Sequence, residues 1–115
     1  MRVFKTKELA RFARRERIPN SRLCEAVVRA ERGLVDADLG GGLIKQRVPR
    51  QGQGRSVGFR TLLVFRASAI SVFIYGFAKS ERDNVSDAEL EYWRSVAARL
   101  FGGAAATARS AHRVG

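Results

Sequence analysis

Residues 43–77, LIKQRVPRQGQGRSVGFRTLLVFRASAISVFIYGF, decide how this chain folds. Three runs within it read as strands: 43–48 (LIKQRV), and 59–66 (FRTLLVFR) and 70–77 (ISVFIYGF), the latter two rich in β-branched and aromatic residues. The first two are separated by the Gly-rich basic loop PRQGQGRSVG (49–58), where Pro49 and Gly52 suit a hairpin turn. The last two are separated by the short RASA link. Three strands at hairpin spacing predict an antiparallel meander. Side chains alternate across a strand, so Lys45 and Arg47 share one face of LIKQRV while Ile44 and Val48 face the other way. One face is apolar and one is basic.

Upstream, Gly40, Gly41 and Gly42 read as a flexible break. Residues 2–5 read as a short edge strand. Thr6 can cap a helix carrying Leu9, Phe12 and Ala13 on one face, with Pro19 as its stop. Asn20 or Ser21 caps a second helix whose apolar stripe is Leu23, Ala26, Val27 and Ala30, and Gly33 stands where a helix often ends. Asp36 and Asp38 read as loop. Downstream, 79–85 (KSERDNV) is a polar connection, and Ser86-Asp87-Ala88-Glu89 matches a capping box. Leu90, Trp93, Ala97 and Leu100 then recur at helical spacing, with Phe101 alongside. Gly102 and Gly103 end that helix, and the remainder, AAATARSAHRVG, reads as a poorly ordered tail. No repeat is present. The expectation is one domain over 1–101 and a flexible tail over 102–115.

The 115 residues suit a single core, and 45% of them are hydrophobic, as in an ordinary globular domain. The charge is less ordinary. Lys and Arg number 22 against 11 Asp and Glu, a net charge of +11 that favours polyanionic partners. From Leu39 to Ser80 there is no acidic residue, yet Lys45, Arg47, Arg50, Arg55, Arg60, Arg66 and Lys79 all lie there. Residues 1–38 carry a net +4 and residues 81–115 are neutral, so +7 sits on the predicted sheet, its loops and the link after it. Solubility is served by mixed charge. One sign concentrated on a sheet costs self-repulsion, which a bound phosphate offsets.

The same inventory excludes several classes. A single cysteine, Cys24, forms no internal disulfide and fits a reducing cytoplasm. The stretch MRVFKTKELARF lacks the apolar centre of a signal peptide, and no run is long enough to span a membrane. Cys24 and His112 do not make a zinc site, and Asp36 with Asp38 makes a poor cation site, so no metal and no cofactor is expected. Gly52 and Gly54 fit neither a dinucleotide fingerprint nor a phosphate-binding loop. Asn84-Val85-Ser86 matches a glycosylation acceptor in a chain with no other sign of secretion. Cys24 and Trp93 read as packing residues, Arg66 as a surface residue, and Tyr75 and Phe77 as core aromatics, with base stacking as their other use.

The stretch LIKQRVPRQGQGRSVGFR, followed by VFIYGFAKSERDNVSDAE, resembles the toxins of the RelE/ParE superfamily of type II toxin–antitoxin systems. The closer likeness is to the RelE/HigB-like branch with a long Gly-rich hairpin. It rests on K-x-R, G-[FY]-R and G-x-x-K-x-E in that order, and covers roughly residues 1–101. The resemblance implies a compact α+β domain, β-α-α-β-β-β-α, with an antiparallel sheet packed by helices. It also implies cleavage of mRNA in the ribosomal A site, so the partners would be the ribosome with its RNA, the mRNA, and a cognate antitoxin, expected to be a helix-turn-helix protein. By motif position, Lys45 and Arg47 correspond to the basic pair before the hairpin, Arg60 to the arginine of G-[FY]-R, and Lys79 to the basic residue after the last strand. Some relatives carry a catalytic tyrosine in their final segment. Here Tyr92 falls inside a predicted helix, and that role is not carried over.

RNA supplies its own nucleophile, the 2′-OH. A cleaving protein must align it, move its proton, balance charge on the phosphate and protonate the leaving oxygen. No His pair is available, since His112 stands alone in the tail. A Lys can replace His where neighbouring positive charge and partial burial disfavour its ammonium form. Lys45 beside Arg47 and Arg60 is such a setting, making Lys45 the expected proton carrier and Arg47 and Arg60 the forked phosphate ligands. Lys79 is a second proton carrier or a neutraliser of the leaving group, and Arg50 and Arg55 position phosphates from the loop. Two other functions fit the composition: a ParE-like toxin that poisons gyrase, and a non-catalytic basic RNA-binding module.

Overall fold

The computed structural model describes residues 2–49, 58–66, 69–79, 84–102 and 111–113, the backbone alone for 101–102 and 111–113. Strand β1 (Arg2–Thr6) leads into helix α1 (Lys7–Arg15) and helix α2 (Asn20–Glu31). Strands β2 (Ala37–Gly40), β3 (Leu43–Pro49), β4 (Gly58–Arg66) and β5 (Ile70–Ala78) follow, then helix α3 (Asp87–Gly102) and strand β6 (Ala111–Arg113). The class is α+β, as the sequence implies. The sheet runs β2-β3-β4-β5-β1-β6, and β3, β4 and β5 form the antiparallel meander.

Helices cover both faces of this sheet. On one face α1 and α2 bury Leu9, Phe12, Ala13, Leu23, Ala26, Val27 and Ala30 against Ile44, Val48, Phe59, Leu63 and Phe73. On the other, Trp93 and Ala97 of α3 pack on Leu43, Leu62, Val64, Val72, Ile74 and Phe4. A strand buried from both sides should be apolar throughout rather than alternating, and the LLVF of β4 and VFI of β5 are. A register shift between Leu62 and Leu63 marks a bulge that places Tyr75 opposite Leu62 and Phe73 opposite Leu63.

Two caps follow the sequence. Thr6 Oγ1 accepts the N–H of Leu9 at 3.2 Å. The capping box closes both ways, Ser86 N–H to Glu89 Oε1 at 3.1 Å and Glu89 N–H to Ser86 Oγ at 3.2 Å.

Several expectations are corrected. Helix α1 ends at Arg15, before Pro19, and the chain reverses through Arg17, held at φ 56°. Pro19 itself precedes α2 at the capping position, with no side-chain cap, and Asn20 is already helical. Asn20 Oδ1 accepts instead from Lys5 Nζ at 2.8 Å, which explains a polar residue there without capping. The Gly40–Gly42 segment is a tight turn joining β2 to β3, not a break; all three glycines have positive φ, where a side chain would strain. Strand β1 is internal, parallel to β5 and antiparallel to β6. Residues 111–113, expected in a tail, supply that outer strand. Expectations about residues 50–57, 80–83 and 103–110 lie outside the described residues.

Helix α1 approaches β5 most closely at Gly76. A Cβ there would lie 2.6 Å from the Phe12 ring, which is itself held edge-on against Phe59 at 5.6 Å. Gly76→Ala is expected to cost about 1–3 kcal/mol by overpacking. A thermal melt should show a lowered midpoint, and an unchanged or raised one would mean that Phe12 yields freely.

Candidate functional site

Cross-strand register determines which of the basic residues meet. Arg47 of β3 stands directly opposite Arg60 of β4, and Lys45 stands opposite Leu62. Directly opposed residues share a face, so Lys45, Arg47 and Arg60 lie on the α3 side together with Leu43 and Leu62. The basic face expected from LIKQRV is thus only part of a face. Helix α3 packs on Leu43 and Leu62 of this face. Lys79 follows β5 at the Arg47 end, its N–H donating to the Gly58 carbonyl at 3.1 Å, and its side chain is exposed. Lys45, Arg47 and Arg60 are brought together, and Lys79 borders them. Arg50 and Arg55 lie outside the described residues. Arg66 is exposed at the opposite end of β4, as expected of a surface residue.

Each cation has a different setting. Arg60 is 9% exposed. Lys45 is half-buried and its Nζ donates to Asn84 Oδ1 at 3.3 Å. Asn84 Oδ1 also accepts the Val85 N–H at 2.9 Å, just ahead of the capping box, so the start of α3 borders the cluster. Arg47 is 46% exposed at its side chain. Its backbone lies beyond the end of β2, whose pairing begins at Ala37 opposite Lys45. Side chains satisfy the groups a longer β2 would have paired: Asp36 Oδ2 accepts the Arg47 N–H at 2.6 Å, and Arg29 Nη2 donates to the Arg47 carbonyl. Asp36 Oδ1 lies 3.7 Å from Arg47 Nε. An ion pair this loose and this exposed contributes only about 0–1 kcal/mol of stability.

The reverse side of the arginine pair is a buried polar clasp. Gln46 and Thr61, opposite one another and both fully buried, occupy the next register step. Thr61 Oγ1 donates to the Gln46 carbonyl at 2.9 Å. Gln46 Nε2 donates to the carbonyls of Ala26 at 2.9 Å and Leu34 at 3.2 Å, and its Oε1 accepts the Asp36 N–H at 2.7 Å. This one side chain fastens β3 to α2 and to the segment leading into β2. Buried polar groups satisfied this fully rigidify their surroundings.

Aromatic residues line the site along β5. Phe77, opposite Arg60, is buried, and Tyr75 is half-buried and stacks on Trp93 at 4.9 Å between centroids. Tyr92 lies inside α3 and is 57% exposed. Cys24 is half-buried against the α2 side of the core.

The sequence reading missed Asp36, Asn84 and Arg29. Asp36 carries a signal in hindsight, as an acidic residue just ahead of an acid-free basic block. Asn84 and Arg29 meet β3 only through tertiary packing. Among the described residues no group of three or more His, Cys, Asp or Glu is arranged to hold a metal, and no helix is long and apolar enough to cross a membrane.

Residues 1–113 match the family model described as the RelE toxin of the RelE / RelB toxin-antitoxin system. No curated protein matches the chain at a significant level.

Clustered cations should bind a single-stranded oligonucleotide with an affinity that falls as salt rises. Arg47→Ala is expected to reduce the slope of log affinity against log salt by about 0.7, the loss of one phosphate contact, and Arg66→Ala to leave it unchanged. Equal effects of the two substitutions would show diffuse charge rather than a site.

Proposed function

The chain belongs to the RelE toxin family, the toxin half of a toxin–antitoxin pair, and we propose that it is an endoribonuclease that cuts messenger RNA on the ribosome and so arrests translation. The observation that carries this reading is the convergence of Lys45, Arg47 and Arg60 from two strands on one face of the sheet. A phosphodiester bound there meets charge fixed in place before it arrives, which is what stabilises a developing oxyanion efficiently.

In the proposed reaction the ribose 2′-oxygen attacks the adjacent phosphorus and gives up its proton to Lys45. The bond from phosphorus to the 5′-oxygen breaks. A 2′,3′-cyclic phosphate remains on the upstream fragment, and the downstream fragment leaves as a 5′-hydroxyl. Arg47 and Arg60 donate forked hydrogen bonds to the non-bridging oxygens, where negative charge grows. Lys79, at the edge of the cluster, donates a proton to the departing 5′-oxygen as the phosphorus–oxygen bond breaks. Arg50 and Arg55 position flanking phosphates. The nucleophile belongs to the substrate, so this scheme calls for no cofactor or metal ion. Its setting is the cytoplasm. Its partners are the ribosome with its RNA, the mRNA, and a cognate antitoxin, for which a helix-turn-helix protein is the proposed form.

A translation system assembled from purified components tests this. The wild-type chain should generate new mRNA ends only when ribosomes are present. Lys45→Ala should reduce the cleavage rate about 100- to 10,000-fold while leaving the thermal midpoint in place. Undiminished cleavage by the folded variant would remove Lys45 from the chemistry. Trapped gyrase–DNA complexes without RNA ends would replace the nuclease reading with gyrase poisoning, and salt-dependent binding with no ends at all would reduce it to an RNA-binding module.

A further inference from the structure

We propose that Asp36 is a positioning residue that fixes the guanidinium of Arg47 for a phosphate, an inference that rests on the reading of Arg47 as a phosphate ligand. Asp36 itself is held on two sides. Its N–H is bonded to the buried Gln46 at 2.7 Å, and its Oδ2 accepts the Arg47 N–H at 2.6 Å. That leaves Oδ1 facing Arg47 Nε at 3.7 Å, with the Asp36 side chain only 24% exposed. Arg29 holds the Arg47 carbonyl from the other direction. The carboxylate approaches the guanidinium at Nε, and in the proposed role the terminal nitrogens are the pair that meets two phosphate oxygens. An arginine on an exposed strand end otherwise samples many rotamers, and ordering it on binding costs affinity. Asp36 restricts that freedom beforehand. It also explains why an acidic side chain is tolerated beside a surface otherwise kept free of them: its charge is spent on an arginine that needs orienting.

The substitution that separates this role from plain structure is Asp36→Asn. An asparagine Oδ1 can still accept the Arg47 N–H, so the fold and the link to Gln46 persist, but the charge that attracts Nε is gone. Three measurements on the full chain decide it: the 15Nε resonance of Arg47, cleavage kinetics, and a double-mutant cycle with Arg47→Ala. In Asp36→Asn the Arg47 15Nε–H signal should shift and broaden toward that of a free arginine, with the thermal midpoint nearly unchanged. The kcat for RNA cleavage should fall by up to about 5-fold, in keeping with the small contribution of a loose, half-exposed ion pair. In the Arg47→Ala background the same substitution should cost nothing further, because Asp36 acts through Arg47. Asp36→Glu should recover part of the activity if its carboxylate reaches Nε.

An unshifted Arg47 signal, or an equal loss with and without Arg47, overturns the proposal. So does faster cleavage by Asp36→Asn, which would make the carboxylate a competitor of the phosphate. The resonance is independent of catalysis. A wild-type chain that cuts no RNA while Asp36→Asn releases Arg47 defeats the nuclease reading and leaves the positioning role standing; a wild-type chain that cuts RNA, with an Asp36→Asn variant indistinguishable from it, does the opposite.

Discussion

Arg47 and Arg60 face each other directly across β3 and β4, and like charges so placed repel. Arg60 adds the cost of being largely withdrawn from water. Much of the surrounding structure can be understood as what keeps this arrangement in register. The central stretches of β4 and β5, from Leu62 to Val64 and from Val72 to Ile74, are apolar on both faces and sandwiched between helices, so a one-residue slip would expel core side chains on each side at once. Behind the arginines, Gln46 and Thr61 lock the adjacent register step with bonds that a shifted strand would lose. At the open edge, Asp36 and Arg29 stand in for the missing continuation of β2.

Helix α3 divides the face on which those arginines sit. Its Trp93 and Ala97 cover the apolar end of the sheet, while its capping box and the preceding Asn84 stop beside Lys45. A fully solvated basic strand would hold its cations in high dielectric and screen them with salt. A fully covered one would admit no polynucleotide. On this face Tyr75 stacks on Trp93, and the half-buried Lys45 is bonded to Asn84 just ahead of α3. The segment that leads into the core-completing helix thus also reaches Lys45.

Much of this was legible in the sequence because it depends on local pattern. The alternation of LIKQRV put Lys45 and Arg47 on one face, and the antiparallel meander brought Arg60 opposite. Thr6 and the Ser86–Glu89 box announced their helices directly. What escaped was what depends on distant packing. Strand β2 is short and carries Asp38 and Gly40, both poor strand formers, so only its pairing with β3 reveals it. Strand β6 consists of Ala, His and Arg, with no apolar alternation, and exists through its hydrogen bonds to β1. Asp36 looked like a loop acid because its bonds to Arg47 and Gln46 span about ten residues of chain and a turn. Pro19 looked like a stop for α1, whereas the reversal is made at Arg17 by a backbone conformation that arginine rarely adopts.

The central claim is that these side chains promote attack by the RNA's own 2′-oxygen on a phosphate held between strands. The most direct test is the chemistry of the ends left on a cleaved message. With a chelator present, the upstream fragment should carry a 2′,3′-cyclic phosphate or its 3′-phosphate hydrolysis product, the downstream fragment a free 5′-hydroxyl, and a single 2′-deoxy substitution at the cut nucleotide should block the reaction. Downstream fragments bearing a 5′-phosphate, or cleavage that survives loss of that one hydroxyl, would contradict the account.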